Sequence, residues 1–232
     1  MNAIVIGMAL VAGLFGFGTK GRVELNGALV EVRWSDGDSF KVLEGRHKGK
    51  GTRLIGYNTL ESYGPVHRWG GFTAKDLYFI AKKAGKAAAS KTWKCTADEN
   101  NLDFYGRLLV HCPDLIEFMV GEGWAHLFAF DSEPDPKHLA AQQAAIKANK
   151  GIWAKGKPKF ILTSLHSVDE NPKEGGAYNR YADPMTGKSD KVKHSEKYSE
   201  CQEVCFKGSC MIYVPFQRRY GKNRADCIKW KR

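Results

Sequence analysis

From Arg22 to Tyr57 the chain alternates short extended runs with turn signals, and that rhythm leaves few folds open. Arg22 to Val32 is strand-like, and Val30, Val32 and Trp34 alternate with polar residues, which gives one apolar face. Asp36-Gly37 is a turn pair. Ser39 to Leu43 resumes the extended pattern, Arg46 to Gly51 is a basic loop, and Thr52 to Tyr57 is a third strand. Three short strands in succession predict a meander that curls into a small barrel.

The next segments change period. Trp69 to Lys83 reads as a helix, with Phe72, Leu77, Ile80 and Ala84 at helical spacing and Gly85 as its stop. Lys91–Ala97 and Arg107–Cys112 form a second strand pair, joined by the polar stretch Asp98 to Tyr105. Two more helices follow, Asp114 to Gly123 and Asp135 to Asn149. The second opens on an Asp cap between Pro134 and Pro136, and Gly151 follows its end. Beyond Trp153 the chain is hydrophilic and punctuated by Gly and Pro, then dense in cysteine from Cys201. The reading is therefore α+β, with a main domain over 22–155 and a basic, cysteine-rich C-terminal extension over 156–232.

Ala3 to Gly18 carries no charge and is too short for a comfortable membrane span. It ends Gly16-Phe17-Gly18, a small-x-small pattern, so residues 1–18 read as a signal peptide. That predicts a secreted protein, extracellular or periplasmic, with no membrane segment in its mature form. Six cysteines in an exported chain read as three disulfides; in a reducing cytosol they would be thiols or metal ligands. The formal net charge is +11, and from residue 155 onward 17 Lys and Arg stand against 9 Asp and Glu. Such a surface suits a polyanion, since every phosphate contact releases condensed counterions.

Three stretches carry chemistry: Asp36-Gly37-Asp38-Ser39, the run from Arg53 to Glu61 (R-L-I-G-Y-N-T-L-E), and Tyr105-Gly106-Arg107. Taken singly each has a bland reading. Asp36-Gly37 is a common turn, Glu61 a cap, Arg53 a strand residue, and Arg107 a brace for Asp103 or Asp98. Together they contribute carboxylates, a candidate base and two arginines. Phosphodiester hydrolysis needs those parts: charge neutralisation at phosphorus, a held water and a proton acceptor. The seven histidines show no metal-ligand spacing, and His126 and His138 read as helix packing or surface. Trp124 reads as core, while Phe128 and Phe130 are candidates for stacking on bases.

These motifs, D-G-D-S-F-K-V, R-L-I-G-Y-N-T-L-E, Y-G-R-L-L-V and the closing Asn149-Lys150-Gly151-Ile152-Trp153, resemble the staphylococcal (thermonuclease-type) nuclease family over about residues 24 to 155. The resemblance implies an OB-fold five-stranded barrel with three helices. It implies a monomeric endonuclease that cuts DNA and RNA with Ca²⁺ or another divalent cation and leaves 3′-phosphates. By position, Asp38, Asn58 and the Thr59 carbonyl would ligate the ion, with Asp36 behind them. Glu61 would activate water, Arg53 and Arg107 would bind phosphate, and Tyr105 would lie beside the nucleotide. Asn58 stands where the family has a second aspartate. The amide brings no charge, so the resemblance leaves two outcomes: a working enzyme with weaker metal binding, or a module that holds nucleic acid without cutting it. The family hairpin would also set Cys95 opposite Cys112. Cys201, Cys205, Cys210 and Cys227 would then form two more bridges in one of three pairings; with no C-x-x-C pair among them, zinc is the weaker alternative.

Overall fold

The structure is a computed structural model that describes residues 18–170 and 176–231. The expected signal peptide falls on 1–17, outside the described residues, apart from Gly18.

Thr19–Leu25 (β1) and Ala28–Trp34 (β2) form a hairpin in full register from Thr19 against Trp34 to Leu25 against Ala28. Its turn is Asn26-Gly27, both at positive φ (50° and 82°), the geometry a two-residue hairpin loop requires. The single strand expected over 22–32 is therefore two strands. Phe40–Val42 (β3) pairs with β2. The expected strand 52–57 also divides, into Thr52–Leu54 (β4) and Gly56–Thr59 (β5), at Gly56 with φ of 93°. Val66–Trp69 (β6) follows, and then the helix Ala74–Ala88 (α1). Trp93–Leu102 (β7) and Leu108–His111 (β8) make the second antiparallel pair, ahead of the helix Pro113–Gly121 (α2). Ala125–Phe128 (β9) pairs with β5, and Pro136–Lys147 is the third helix (α3), capped by Asp135 as expected.

Six strands form one sheet in the order β3-β2-β1-β7-β8-β4, one more than the five expected. It is nearly closed. A bridge joins Lys41 to Gly51, and the Thr52 hydroxyl donates to the Phe40 carbonyl while accepting the Phe40 N–H. Inward residues alternate along the strands: Val23 and Leu25, Val30 and Val32, Leu108 and Val110. Helix α2 seals one end with Leu115, Ile116 and Met119. Trp124 packs against this core, as its sequence context suggests.

Helix α1 starts later than expected because Thr73 and Asp76 make a reciprocal capping box. It also runs past Gly85, which is a buried interior residue and not a stop. A Cβ at Gly85 would sit 3.4 Å from the Asp36 backbone, an ordinary contact distance, so the helix packs on the Asp36–Asp38 turn at this residue.

The extension is structured. Ile161–Ser164 (β10), Ala177–Ala182 (β11) and Ser189–His194 (β12) form one three-stranded sheet. Glu203–Phe206 (β13) and Ser209–Ile212 (β14) form another, which β6 completes through β14. Val214, Ala225 and Ile228 pack on Val66 and Tyr78 of the main domain. Among the described residues no helix is long and apolar enough to cross a membrane.

All six cysteines are bonded. Cys95–Cys112 is the pair expected, and the remaining four resolve as Cys201–Cys227 and Cys205–Cys210. Cys95–Cys112 closes a 17-residue separation and ties the start of β7 to the residue that precedes α2. Replacing both with alanine is expected to cost about 3 kcal/mol of stability, read from urea midpoints. A midpoint unchanged from the parent would show that the bridge adds nothing.

Candidate active site

The Asp36–Ser39 turn sits between α1 and β5, and its tightness is dictated by packing. A Cβ on Gly37 would lie 2.5 Å from Thr59 Cγ2 and 2.8 Å from Met119 Cε. The Tyr57 hydroxyl donates to the Gly37 carbonyl. Only glycine fits there, and the turn therefore aims Asp38 inward.

Asp38 is buried, and both its carboxylate oxygens are in use. One accepts the Thr59 N–H at 3.0 Å, and the other lies 3.0 Å from Arg53 Nη1. The second guanidinium nitrogen of Arg53 donates to the Asn58 side-chain carbonyl. Burial opposes the charge on Arg53, but Asp38, Asp36 and Glu61 more than offset it and hold the pKa above its ordinary value. Thr59 meets the cluster through its N–H, where the resemblance had assigned its carbonyl to the ion.

Asp36 accepts the Ser39 hydroxyl at 2.6 Å. Burial and then the neighbouring Asp38 charge push its pKa well above the usual carboxylate range, with Ser39 opposing. Glu61 has a solvent-facing edge, yet the dense protein around its carboxyl, followed by Asp38, raises its pKa as well. Arg53, Arg219 and Lys231 pull the other way. Three carboxyls thus share one close guanidinium. That shortage of positive charge, with hard oxygen donors from Asp36, Asp38, Glu61 and Asn58, fits a divalent cation in chemistry. The chain itself offers an open set of ligands. Among the described residues, the one trio of ligand atoms within 4.8 Å of each other is Glu203 with Cys205 and Cys210, and those sulfurs are bonded to each other.

Arg53 and Asn58 form part of the wall of a groove of about 790 Å³. Arg107 and Tyr105 line the same groove from the tip of the β7–β8 hairpin. Arg107 does not join the Asp38 cluster. Its guanidinium grips Asp103 at 2.7 Å through both Nε and Nη2, and its plane lies 5.6 Å from the Tyr105 ring. Bracing of Asp103, the bland reading of this residue, is thus what the resting geometry contains. Tyr105 is 77% exposed and its neighbour Phe104 97% exposed, so two rings face solvent at the lip of the groove. Phe128 and Phe130 also line it, as does Arg180 from β11. Sequence reasoning missed Phe104 and Arg180. Phe104 precedes Tyr105 in a polar turn, where an aromatic pair is itself a cue; Arg180 carries no local cue, since only the fold of the extension delivers it.

Two buried histidines, His67 and His126, lie beside this cluster. His126 lies opposite Asn58 in the β5–β9 pair, and His67 accepts the Glu61 N–H at Nε2, 3.2 Å away. Burial first, with nearby positive charge, lowers His67 to about 3; burial also lowers His126 to about 4. Each is neutral when folded and binds a proton near its ordinary value when unfolded. Their contribution is complete above about pH 6.5 and is lost as pH falls, roughly 3 kcal/mol each by pH 4. Asp36 and Glu61, with raised pKa values, act in the opposite sense, because the folded state gains protons there as pH drops. His67→Gln should therefore reduce the stability difference between pH 7 and pH 4 by about 3 kcal/mol in urea titrations. An equal pH dependence in parent and variant would contradict a neutral buried His67.

Comparison of the chain with protein-family models and with curated proteins found no match.

Proposed function

We propose that this chain is a secreted, monomeric nuclease of the staphylococcal type, on an OB-type barrel, hydrolysing phosphodiesters in DNA and RNA with little sequence preference. The observation that carries the reading is the contact of Arg53 with both Asp38 and Asn58, with Asp36 and Glu61 electrostatically in touch, where Arg53 and Asn58 line a groove that Arg107 and exposed aromatic rings also line. The three disulfides accord with export.

Asp38 and Asn58, backed by Asp36, are the residues that would hold a Ca²⁺ ion. When bound, the ion supplies Lewis-acid polarisation and positive charge at the phosphate. The chain's own groups do the rest. Glu61, its carboxyl pKa raised by burial and then by Asp38, is suited to take the proton from an attacking water. The Arg53 and Arg107 guanidiniums match pairs of phosphate oxygens and offset the charge that develops there. Phe104 and Tyr105 give bases a ring to stack on, which favours no one sequence. Phosphate and ring contacts together recognise a strand without reading base edges.

One observation favours the second reading, a nucleic-acid-binding module that no longer cuts. Arg53 is already held by both Asp38 and Asn58, and Asn58 adds no charge for a metal. Digestion of plasmid and single-stranded DNA with Ca²⁺, with Mg²⁺ and with chelator separates the two. Cleavage that depends on a divalent cation is expected. No cleavage with any ion, alongside retained DNA binding, would leave only the binding module.

A further inference from the structure

A second cavity, of about 210 Å³, opens where the extension meets the main domain, and its walls come from both. Ser62, Tyr63 and Gly64 from the loop after Glu61 and Tyr78 and Lys82 from α1 form one side; Arg219, Tyr220, Arg224 and Lys231 form the other. Among the described residues, no carboxylate side chain lines it.

Four cations converge there, and among the described residues none of them has an ion-pair partner. Four other cations of the extension do have acids: Arg218 pairs with Glu200, Lys229 with Asp226, Lys188 with Glu133 and Lys197 with Asp169. In the cavity, Lys231 Nζ donates to the carbonyls of Gly64 and Pro65, at 2.9 and 3.0 Å. Arg219 is fixed by a bond from Nε to the Val214 carbonyl, 2.9 Å, and packs so closely on Gly64 that a Cβ there would meet its Cδ at 2.7 Å. Arg224 donates to the Lys231 carbonyl, while its Nε is buried with no partner. Lys82 lies over the Tyr63 ring, 5.4 Å from its centre, and Tyr63 faces Tyr220. Burial, then crowding by Arg224, Lys82 and Arg219, lowers Lys231 to about 7, although Glu61 opposes the fall. Positive charge gathered this tightly, held by fixed side chains and with no acid in ion-pair contact among the described residues, is a receptor for an anion.

The position of the cavity says which anion. Arg219 and Lys231 act on the Glu61 carboxyl, and Tyr220 feels both Glu61 and Asp36. The cavity thus adjoins the Asp36–Asp38–Glu61 centre, and the large groove with Arg107 approaches that centre by way of Arg53 and Asn58. We propose that the extension completes a second phosphate site, formed by Lys82, Arg219, Arg224 and Lys231. A nucleic-acid strand lying across the acidic centre places a neighbouring phosphate there, with a base against Tyr63 and Tyr220. The inference rests on the nuclease reading for the identity of the strand, but not on catalysis.

The test is binding of the full chain to a fluorescent single-stranded oligodeoxynucleotide in chelator, so that no cleavage occurs, across a range of salt. The double variant Lys82→Gln, Arg219→Gln is compared with the parent, and thermal melts confirm that both are folded. Loss of two phosphate contacts is expected to weaken binding about tenfold or more and to reduce the salt slope by about 1 to 2. Inorganic phosphate should compete with the oligonucleotide for the parent and raise its melting temperature, and should do so less for the variant. Arg218→Gln with Lys229→Gln, which removes two paired cations outside the cavity, should keep the parent's slope. Equal affinity and slope in parent and Lys82/Arg219 variant would overturn the proposal. So would phosphate stabilisation with an unchanged oligonucleotide slope, since the cavity would then take free phosphate only. If the parent binds, the variant binds poorly and neither cleaves with any metal, the second site stands while the nuclease reading fails.

Discussion

Asp38→Ala is expected to abolish the proposed nuclease activity and to destabilise the protein by about 3–5 kcal/mol, because it removes the one carboxylate that, among the described residues, directly contacts the largely buried Arg53 guanidinium. The Arg53 charge would keep only the Asn58 amide, and the Thr59 N–H would lose its acceptor in a buried position. The loss is partly offset. Asp36 and Glu61 both feel repulsion from Asp38, and that repulsion vanishes with it. Asp38→Asn separates the two roles. It retains an oxygen for the Thr59 N–H and the shape of the turn, so it should be the more stable variant and equally inactive. Urea unfolding at neutral pH in chelator reads the stability. An alanine variant within about 0.5 kcal/mol of the parent would mean that Arg53 does not depend on Asp38.

Arg107→Ala should lower the rate of DNA cleavage about a hundred- to a thousandfold, while stability falls by no more than about 1 kcal/mol. The contrast follows from position: the Arg107–Asp103 pair sits at a hairpin tip and is only part-buried, so solvent screens it in part. Asp103→Ala is the control that decides the role of the pair. It frees Arg107 without removing the guanidinium, so it should cost far less activity than Arg107→Ala. Equal losses would reduce Arg107 to a brace for the loop. Arg107→Lys should recover little, since an ammonium cannot span two phosphate oxygens in one plane.

What could be read from the chain alone was local. The acidic turn, the run to Glu61 and the Arg107 hairpin are each continuous segments whose chemistry is written in adjacent residues; the fold sets Asp38 against Arg53 and brings Arg53 and Arg107 to one groove. Asn26-Gly27 was equally legible as a hairpin turn, yet the run around it reads as one strand if the alternation is followed through the pair. Strand β6 had no such cue. Val66–Trp69 becomes a strand because β14 pairs with it from more than 130 residues away. Gly85 resembles a helix stop by propensity, yet it is a buried residue inside α1, packed against the Asp36 backbone. Strands β11 and β12 hide for another reason: they are largely half-buried or exposed along their length, so no apolar alternation marks them. The basic character of the extension was visible, but not that three of its charges, Arg219, Arg224 and Lys231, would face one cavity together with Lys82 from α1.

The two carbonyls gripped by Lys231 belong to the segment that carries the chain away from Glu61, and the ammonium reaches them from 167 positions downstream. A ribosome delivers these pieces in order. The barrel and its acids emerge early, whereas the tether that steadies the stretch beside Glu61 arrives only when synthesis has passed residue 231. Until then, a nascent chain has the reactive groups without the clasp that sets them.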